Sequence, residues 1–221
     1  MDASSGYARG GDAAVVAAAR QWLADGHAVH LVTVVRTWGS SPRPPGALMA
    51  RRDDGAVVGS VSGGCVESAI AEHLPTPGQL PATLTWSGDE ARRAGLPCGG
   101  TLELLAEGLE PGADRGLGEV AAALERSEAV RRRVACATGT VAVETDHGGP
   151  DLLQEGGAVD KRFGPAWRLL VVGAGELGSH LAAMARRLGY HVTVCEPREE
   201  FRAAFDEAGV ELTPAMPDDS V

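Results

Sequence analysis

Four short stretches gather residue types able to do chemistry. WGSSPRPPG (38–46) offers the hydroxyls of Ser40 and Ser41, backbone N–H groups from Gly39 onward, and the guanidinium of Arg43, a fork suited to a phosphate or another planar anion. SVSGGCVE (60–67) places Ser62, Gly63 and Gly64 just before an expected helix, with Cys65 in its first turn. There the helix dipole and free N–H groups favour a thiolate, while the charge of Glu67 opposes it. PCGG (97–100) gives Cys98 an exposed backbone, and Gly99 and Gly100 allow close approach of a ligand. The fourth stretch is the G-x-G-x-x-G turn Gly173, Gly175, Gly178. Glu196 follows it at the end of the next apolar run, where a carboxylate would accept hydrogen bonds from an adenosine ribose.

Each of these has a plainer reading. A free cysteine is most often a small buried hydrophobe, which suits Cys136 and Cys195 inside apolar strands better than Cys65 and Cys98 beside Gly-Gly pairs. The Rossmann glycines can serve the turn alone, with no ligand. Two isolated cysteines without short-range partners make a poor structural zinc site, so no metal ligands are assigned.

The elements that must position these loops follow from hydrophobic spacing. Asp12 is a candidate N-cap for a helix carrying Val15, Val16, Ala19, Trp22 and Leu23 up to Gly26. AVHLVTVVRT (28–37) lacks clean alternation, as a strand covered on both faces would. Residues 47–51 and 56–61 flank Asp53-Asp54-Gly55 as a hairpin, and a helix through Val66, Ile70 and Leu74 is expected after the second glycine loop. Strands at 82–86 and 101–107, a helix at 117–130 and strands near 134–137 and 141–144 complete residues 1–146. The Gly-, Asp- and Pro-rich stretch 147–165 reads as a connector or loose hairpin.

Residues 166–221 then read as a partial Rossmann unit, strand–turn–helix–strand, with Leu177, Leu181 and Met184 as its apolar helix positions. One more helix near 199–208 and a strand at 210–212 are expected after Glu196. The fold class is thus α/β: a mixed amino-terminal domain followed by a short, partial Rossmann-type βαβ unit. The first strand of that unit is an open edge, which favours a homodimer.

Composition sets the function classes. With 221 residues, 20 Lys plus Arg against 30 Asp plus Glu and a net charge of −10, the chain has no basic field for nucleic acid or anionic lipid. The longest apolar run, near 28–35, is too short to cross a bilayer. Four cysteines with no paired spacing, and no secretory apolar stretch after Met1, point to the reducing cytoplasm.

Taken in order, GSSPRPPGALM (39–49), GSVSGGCVE (59–67), PCGGTLELLAE (97–107) and LLVVGAGELG (169–178) followed by EPREEF (196–201) resemble the XdhC/CoxI family of xanthine dehydrogenase accessory proteins. The resemblance implies a non-catalytic chaperone. It would bind molybdenum cofactor (molybdopterin), protect it while a cysteine desulfurase installs its terminal sulfur, and deliver it to a xanthine dehydrogenase-type molybdoenzyme. It places Cys65 and Cys98 near the metal or its transferable sulfur, and Ser40, Ser41, Arg43, Ser62, Gly63, Gly64, Gly99 and Gly100 around the phosphate or pterin. Where the family's Rossmann turn commonly reads GAGHVG, this chain has Glu176-Leu177. Two other readings stay open. One is an NAD(P)-dependent oxidoreductase using Gly173, Gly175, Gly178 and Glu196; the other is a truncated relative that only binds a partner.

Overall fold

The computed structural model of the chain describes residues 11–39, 43–64, 66–87, 100–164, 168–188 and 190–219. The chain divides into two units, Met1–Phe163 and Gly164–Val221.

The first unit is built around a strand whose two faces are both buried. β1 (Val29–Trp38) sends Val29, Leu31 and Val35 to one side and Val32 and Val34 to the other. It pairs antiparallel with β2 (Leu48–Arg52) and β5 (Thr101–Leu109). β3 (Val57–Gly59) and β4 (Ala82–Trp86) complete a five-stranded sheet of order β3-β2-β1-β5-β4. Helices α1 (Asp12–Ala24) and α2 (Leu117–Glu125) cover one face: Val15, Val16, Ala19, Leu117 and Val120 pack on Val29, Leu31, Leu48 and Leu109. The opposite face is closed by the chain after β3, where Val61, Val66 and Ile70 meet Val32, Val34, Met49 and Leu104. Packing on both faces removes the alternation a half-exposed strand would show.

Gly59 has to be glycine. It holds φ +82°, and a Cβ there would stand 2.3 Å from the Leu48 carbonyl oxygen and 2.6 Å from Val15. The chain therefore leaves β3 tight against α1 and enters the second glycine loop at a fixed place.

A second, four-stranded antiparallel sheet has the order β7-β6-β9-β8, from β6 (Val130–Ala135), β7 (Val141–Thr145), β8 (Leu152–Glu155) and β9 (Ala158–Phe163). Val134 and Val159 pack against Val35 and Leu105 of the first sheet. The stretch expected as a connector or loose hairpin is thus an integral hairpin of this sheet rather than a tether. Its charges are paired: Asp146 takes both Arg131 and Arg162, at 2.9 and 2.7 Å. These ion pairs let charge-rich strands sit against a core. Asp12 is the first helical residue rather than the cap, a place held by Gly11, and its carboxylate accepts from Lys161 Nζ at 2.7 Å.

In the second unit β10 (Arg168–Val172), β11 (His191–Cys195) and β12 (Glu211–Thr213) form a parallel sheet in that order. α3 (Glu176–Arg187) links β10 to β11, and α4 (Glu199–Ala203) precedes β12. The buried face of α3 is Ala182 and Ala185, while the apolar helix positions Leu177, Leu181 and Met184 are exposed. The cause is the third Rossmann glycine. A Cβ on Gly178 would lie 2.1 Å from the Gly173 carbonyl oxygen, so the helix runs so close to its strand that only alanine fits beneath it. Among the described residues no helix is long and apolar enough to cross a membrane.

Candidate functional site

The second glycine loop is organised by a buried carboxylate. Glu67 is 2% exposed. Its Oε1 accepts from the Ser60 hydroxyl at 2.6 Å, Val61 N–H at 3.1 Å and Ser62 N–H at 3.0 Å. Its Oε2 accepts from the Ser62 hydroxyl and from Val66 N–H at 3.0 Å. Burial alone would raise this carboxyl's pKa, yet the hydrogen bonds from Ser60, Ser62 and the backbone outweigh it, and the value is lowered. The loop is laced further by Gly63 N–H donating to Ser60 Oγ at 2.7 Å and by Arg43 Nε donating to the Ser60 carbonyl at 3.2 Å. Gly63 and Gly64 hold φ +85° and +107°, and a Cβ on Gly64 would meet nothing within 4 Å.

This geometry corrects one expectation. The α-helix expected to start at this loop is a single five-residue 3-10 turn, Ala69–His73, because the Val66 amide bonds back to Ser62 Oγ and Glu67 instead of opening a helix. In the same loop the amides of Val61, Ser62 and Val66 are taken by Glu67. Ser62 gives both its N–H and its hydroxyl to the same carboxylate. Sequence reasoning gave Glu67 only the role of opposing a thiolate; the signal that it is the hub was the two serines placed five and seven residues before it.

Ser40, Ser41, Cys65, Cys98 and Gly99 lie outside the described residues. Gly100, just before β5, is half-buried. Cys195 is buried at the end of β11 as expected, with its thiol on the Ala215 carbonyl, whereas Cys136, expected inside an apolar strand, sits in the turn after β6 and is half-buried, its pKa raised by burial and by the charge of Glu107. Among the described residues no three His, Cys, Asp or Glu side chains gather as a metal site.

Below the first sheet, Arg132 and Glu107 make a bidentate pair with both distances 2.8 Å and side chains 4% and 2% exposed. Arg132 Nε also donates to the Arg115 carbonyl at 3.0 Å. The pair lines a cavity of about 10 Å³ with Thr33, Lys161 and Phe163. That volume admits one water molecule, so the pair is structural and no pterin enters there.

In the second unit the glycine turn has open space where a ligand would come. Gly173 takes φ +106°, and a Cβ on Gly175 would meet nothing within 4 Å. Glu196 is 1% exposed, and its two oxygens already accept four hydrogen bonds. Oε1 takes Arg198 N–H at 3.0 Å and Arg198 Nε at 2.8 Å; Oε2 takes Ala174 N–H at 3.1 Å and Arg198 Nη2 at 2.9 Å. The Arg198 bonds come first in lowering its pKa to about 2. Four acceptances fill a carboxylate's lone pairs. Ribose hydroxyls would reach it only after Arg198, which rests against the Phe201 ring, has swung away.

Comparison with known proteins follows the same division. Residues 22–76 match the XdhC and CoxI family, and residues 168–214 match the pyridine nucleotide-disulphide oxidoreductase family. The chain is 51% identical over 49 residues to the molybdenum cofactor insertion chaperone PaoD of Escherichia coli (strain K12). That match covers 22% of the chain and spans 15% of the length of the curated relative. A crystal structure from Bacillus halodurans, titled a xanthine dehydrogenase, aligns with 94% of this chain and 69% of its own, at a TM-score of 0.66 and 22% identity. At that identity the likeness is one of fold. Residues 22–76, which hold the first two of the four motifs, thus match the XdhC and CoxI family.

Proposed function

We propose that this protein is a non-catalytic accessory protein that holds molybdenum cofactor as cargo and passes it to a xanthine dehydrogenase-type molybdoenzyme. The observation that carries this reading is the 51% identity to a molybdenum cofactor insertion chaperone. The buried Glu67 gives that region a physical task. By taking the amides of Val61, Ser62 and Val66, it fixes the backbone on both sides of Cys65 and leaves Gly63 and Gly64 in an open, left-handed turn. In this reading Cys65 and Cys98 face the metal or its transferable sulfur, and Ser40, Ser41, Arg43, Gly64, Gly99 and Gly100 surround the phosphate and pterin. Ser62 supports the loop rather than the ligand. A cysteine desulfurase is the sulfur donor, the setting is the cytoplasm, and the protein works as a homodimer.

Reconstitution tests the reading. Apo-xanthine dehydrogenase supplied with limiting free cofactor should regain several times more activity when this protein is present. Equal recovery with and without it would defeat the handover.

A second reading rests on the match of residues 168–214, namely that the second unit binds NAD(P). Saturable NADH or NADPH binding together with a substrate-dependent absorbance change would favour an oxidoreductase.

A further inference from the structure

The chain between the 3-10 turn and β4 lies as a strap across the first sheet. At Gly108 of β5 a Cβ would stand 2.8 Å from the carbonyl oxygens of both Pro75 and Thr76 and 3.0 Å from Pro77 Cα, so only glycine lets the strap rest there. Two hydrogen bonds fasten it. Gly78 N–H donates to the Gly108 carbonyl at 3.0 Å, and His30 Nε2 lies 2.9 Å from the Pro75 carbonyl. His30 stands opposite Gly108 in the register of β1 with β5, and opposite Arg51 in that of β1 with β2.

The Pro75 bond fixes the form of the ring. Facing a carbonyl, Nε2 carries the hydrogen, which leaves Nδ1 as a bare acceptor in the neutral imidazole. Nδ1 is buried and has no partner. Protonation would put a second N–H there with no acceptor to receive it, and a charged donor left unmet in the interior is unfavourable. Burial comes first in lowering the His30 pKa below 6.5, and the like charge of Arg51 adds to it. Together they outweigh the Pro75 bond and the Asp53 carboxylate, which favour the charged ring. Asp53 is shared with His27 and the Ala28 amide, while Gly108, Pro75, Thr76 and Pro77 bring no charge.

We propose that His30 is a proton-sensitive latch on this strap. Neutral, it holds the Pro75 carbonyl. Charged, it can pair its second N–H only by turning toward water, which breaks the Pro75 bond. Gly78 is then the remaining hydrogen bond between strap and sheet among the described residues. The strap joins the turn after the second glycine loop to β4, so acid loosens the link between them. The stabilisation given by the neutral ring is fully present above pH 6.5 and is lost as the pH falls through the folded pKa. The latch stands apart from the cofactor reading above.

Hydrogen exchange of the Gly78 amide, followed by NMR and corrected for the intrinsic rate, tests it. The protection factor should fall several-fold between about pH 7.5 and about pH 5, in step with a His30 ring titration centred below 6.5. In His30→Gln, whose side-chain NH₂ can reach the same carbonyl without titrating, protection should stay flat over that range. Unchanged protection in the wild type, or an equal fall in the Gln variant, would overturn the latch. Should the variant fail to fold, the wild-type titration decides: a His30 midpoint at or above 6.5, or a Gly78 amide that follows a different midpoint, would overturn it equally.

Discussion

Glu67→Gln is expected to loosen the second glycine loop while leaving the rest of the first unit folded. The substitution keeps the side chain's shape but puts an amide NH₂ where one carboxylate oxygen accepted. With Oε1 still serving Ser60, Val61 and Ser62, that NH₂ would face the Val66 N–H, a donor against a donor. An unsatisfied buried group of this kind costs about 1–3 kcal/mol. Denaturant midpoints measured near neutral pH should fall accordingly.

The pH dependence gives a second readout with a definite sign. The folded pKa of Glu67 lies below its ordinary value of 4.5. Its stabilisation is therefore fully present above that value and is lost as the pH falls toward the folded pKa. The Gln variant should lose part of the wild type's decline in stability below pH 4.5, although Asp146 and Glu196, also lowered, retain theirs. Variant and wild type with the same acid slope and the same midpoint would remove Glu67 from the loop's support.

Arg132→Ala should have the largest effect on stability. It strands Glu107, 2% exposed, without its two 2.8 Å bonds and leaves the Arg115 carbonyl without the Arg132 donor. Breaking one side of a buried pair costs about 3–5 kcal/mol. For a chain of this length that lowers the melting temperature by about 6–20 °C. The double variant Glu107→Leu/Arg132→Met, which removes both charges and fills the space, should recover much of the loss. A single variant with wild-type melting would show the pair to be dispensable.

The elements with one strong local signal were legible in the sequence. α1 followed from Val15, Val16, Ala19 and Leu23, and β1 from an apolar run that fits burial on both faces. The second sheet was only partly readable. In β6 the run Arg131, Arg132 and Arg133 reads as solvent-exposed, yet Arg132 points into the interior against Glu107, and Arg131 is held by Asp146 and Asp160. Such strands depend on charge partners far away in sequence, which periodicity does not see. α3 misled for the opposite reason. Its pattern is strongly amphipathic, but the close approach at Gly178 reserves the sheet face for Ala182 and Ala185 and turns the larger residues outward.

The site shows the same division. Gly173 holds a positive φ in the turn and Gly178 the close helix-to-strand approach, local geometry of the kind a fingerprint encodes. Glu196 was placed at the right position but without its four donors, of which the Ala174 amide lies 22 residues away. Glu67, which takes the amides of Val61 and Ser62, lies within the same short motif as those residues.

In the proposed function Cys65 and Cys98 together hold molybdenum cofactor. Its most direct test is the amount of molybdopterin retained by purified protein after gel filtration, read from the fluorescence of the oxidised pterin, for wild type and for Cys65→Ala/Cys98→Ala. Near-stoichiometric retention by the wild type and background levels in the double variant are expected. Equal retention by both proteins would contradict it.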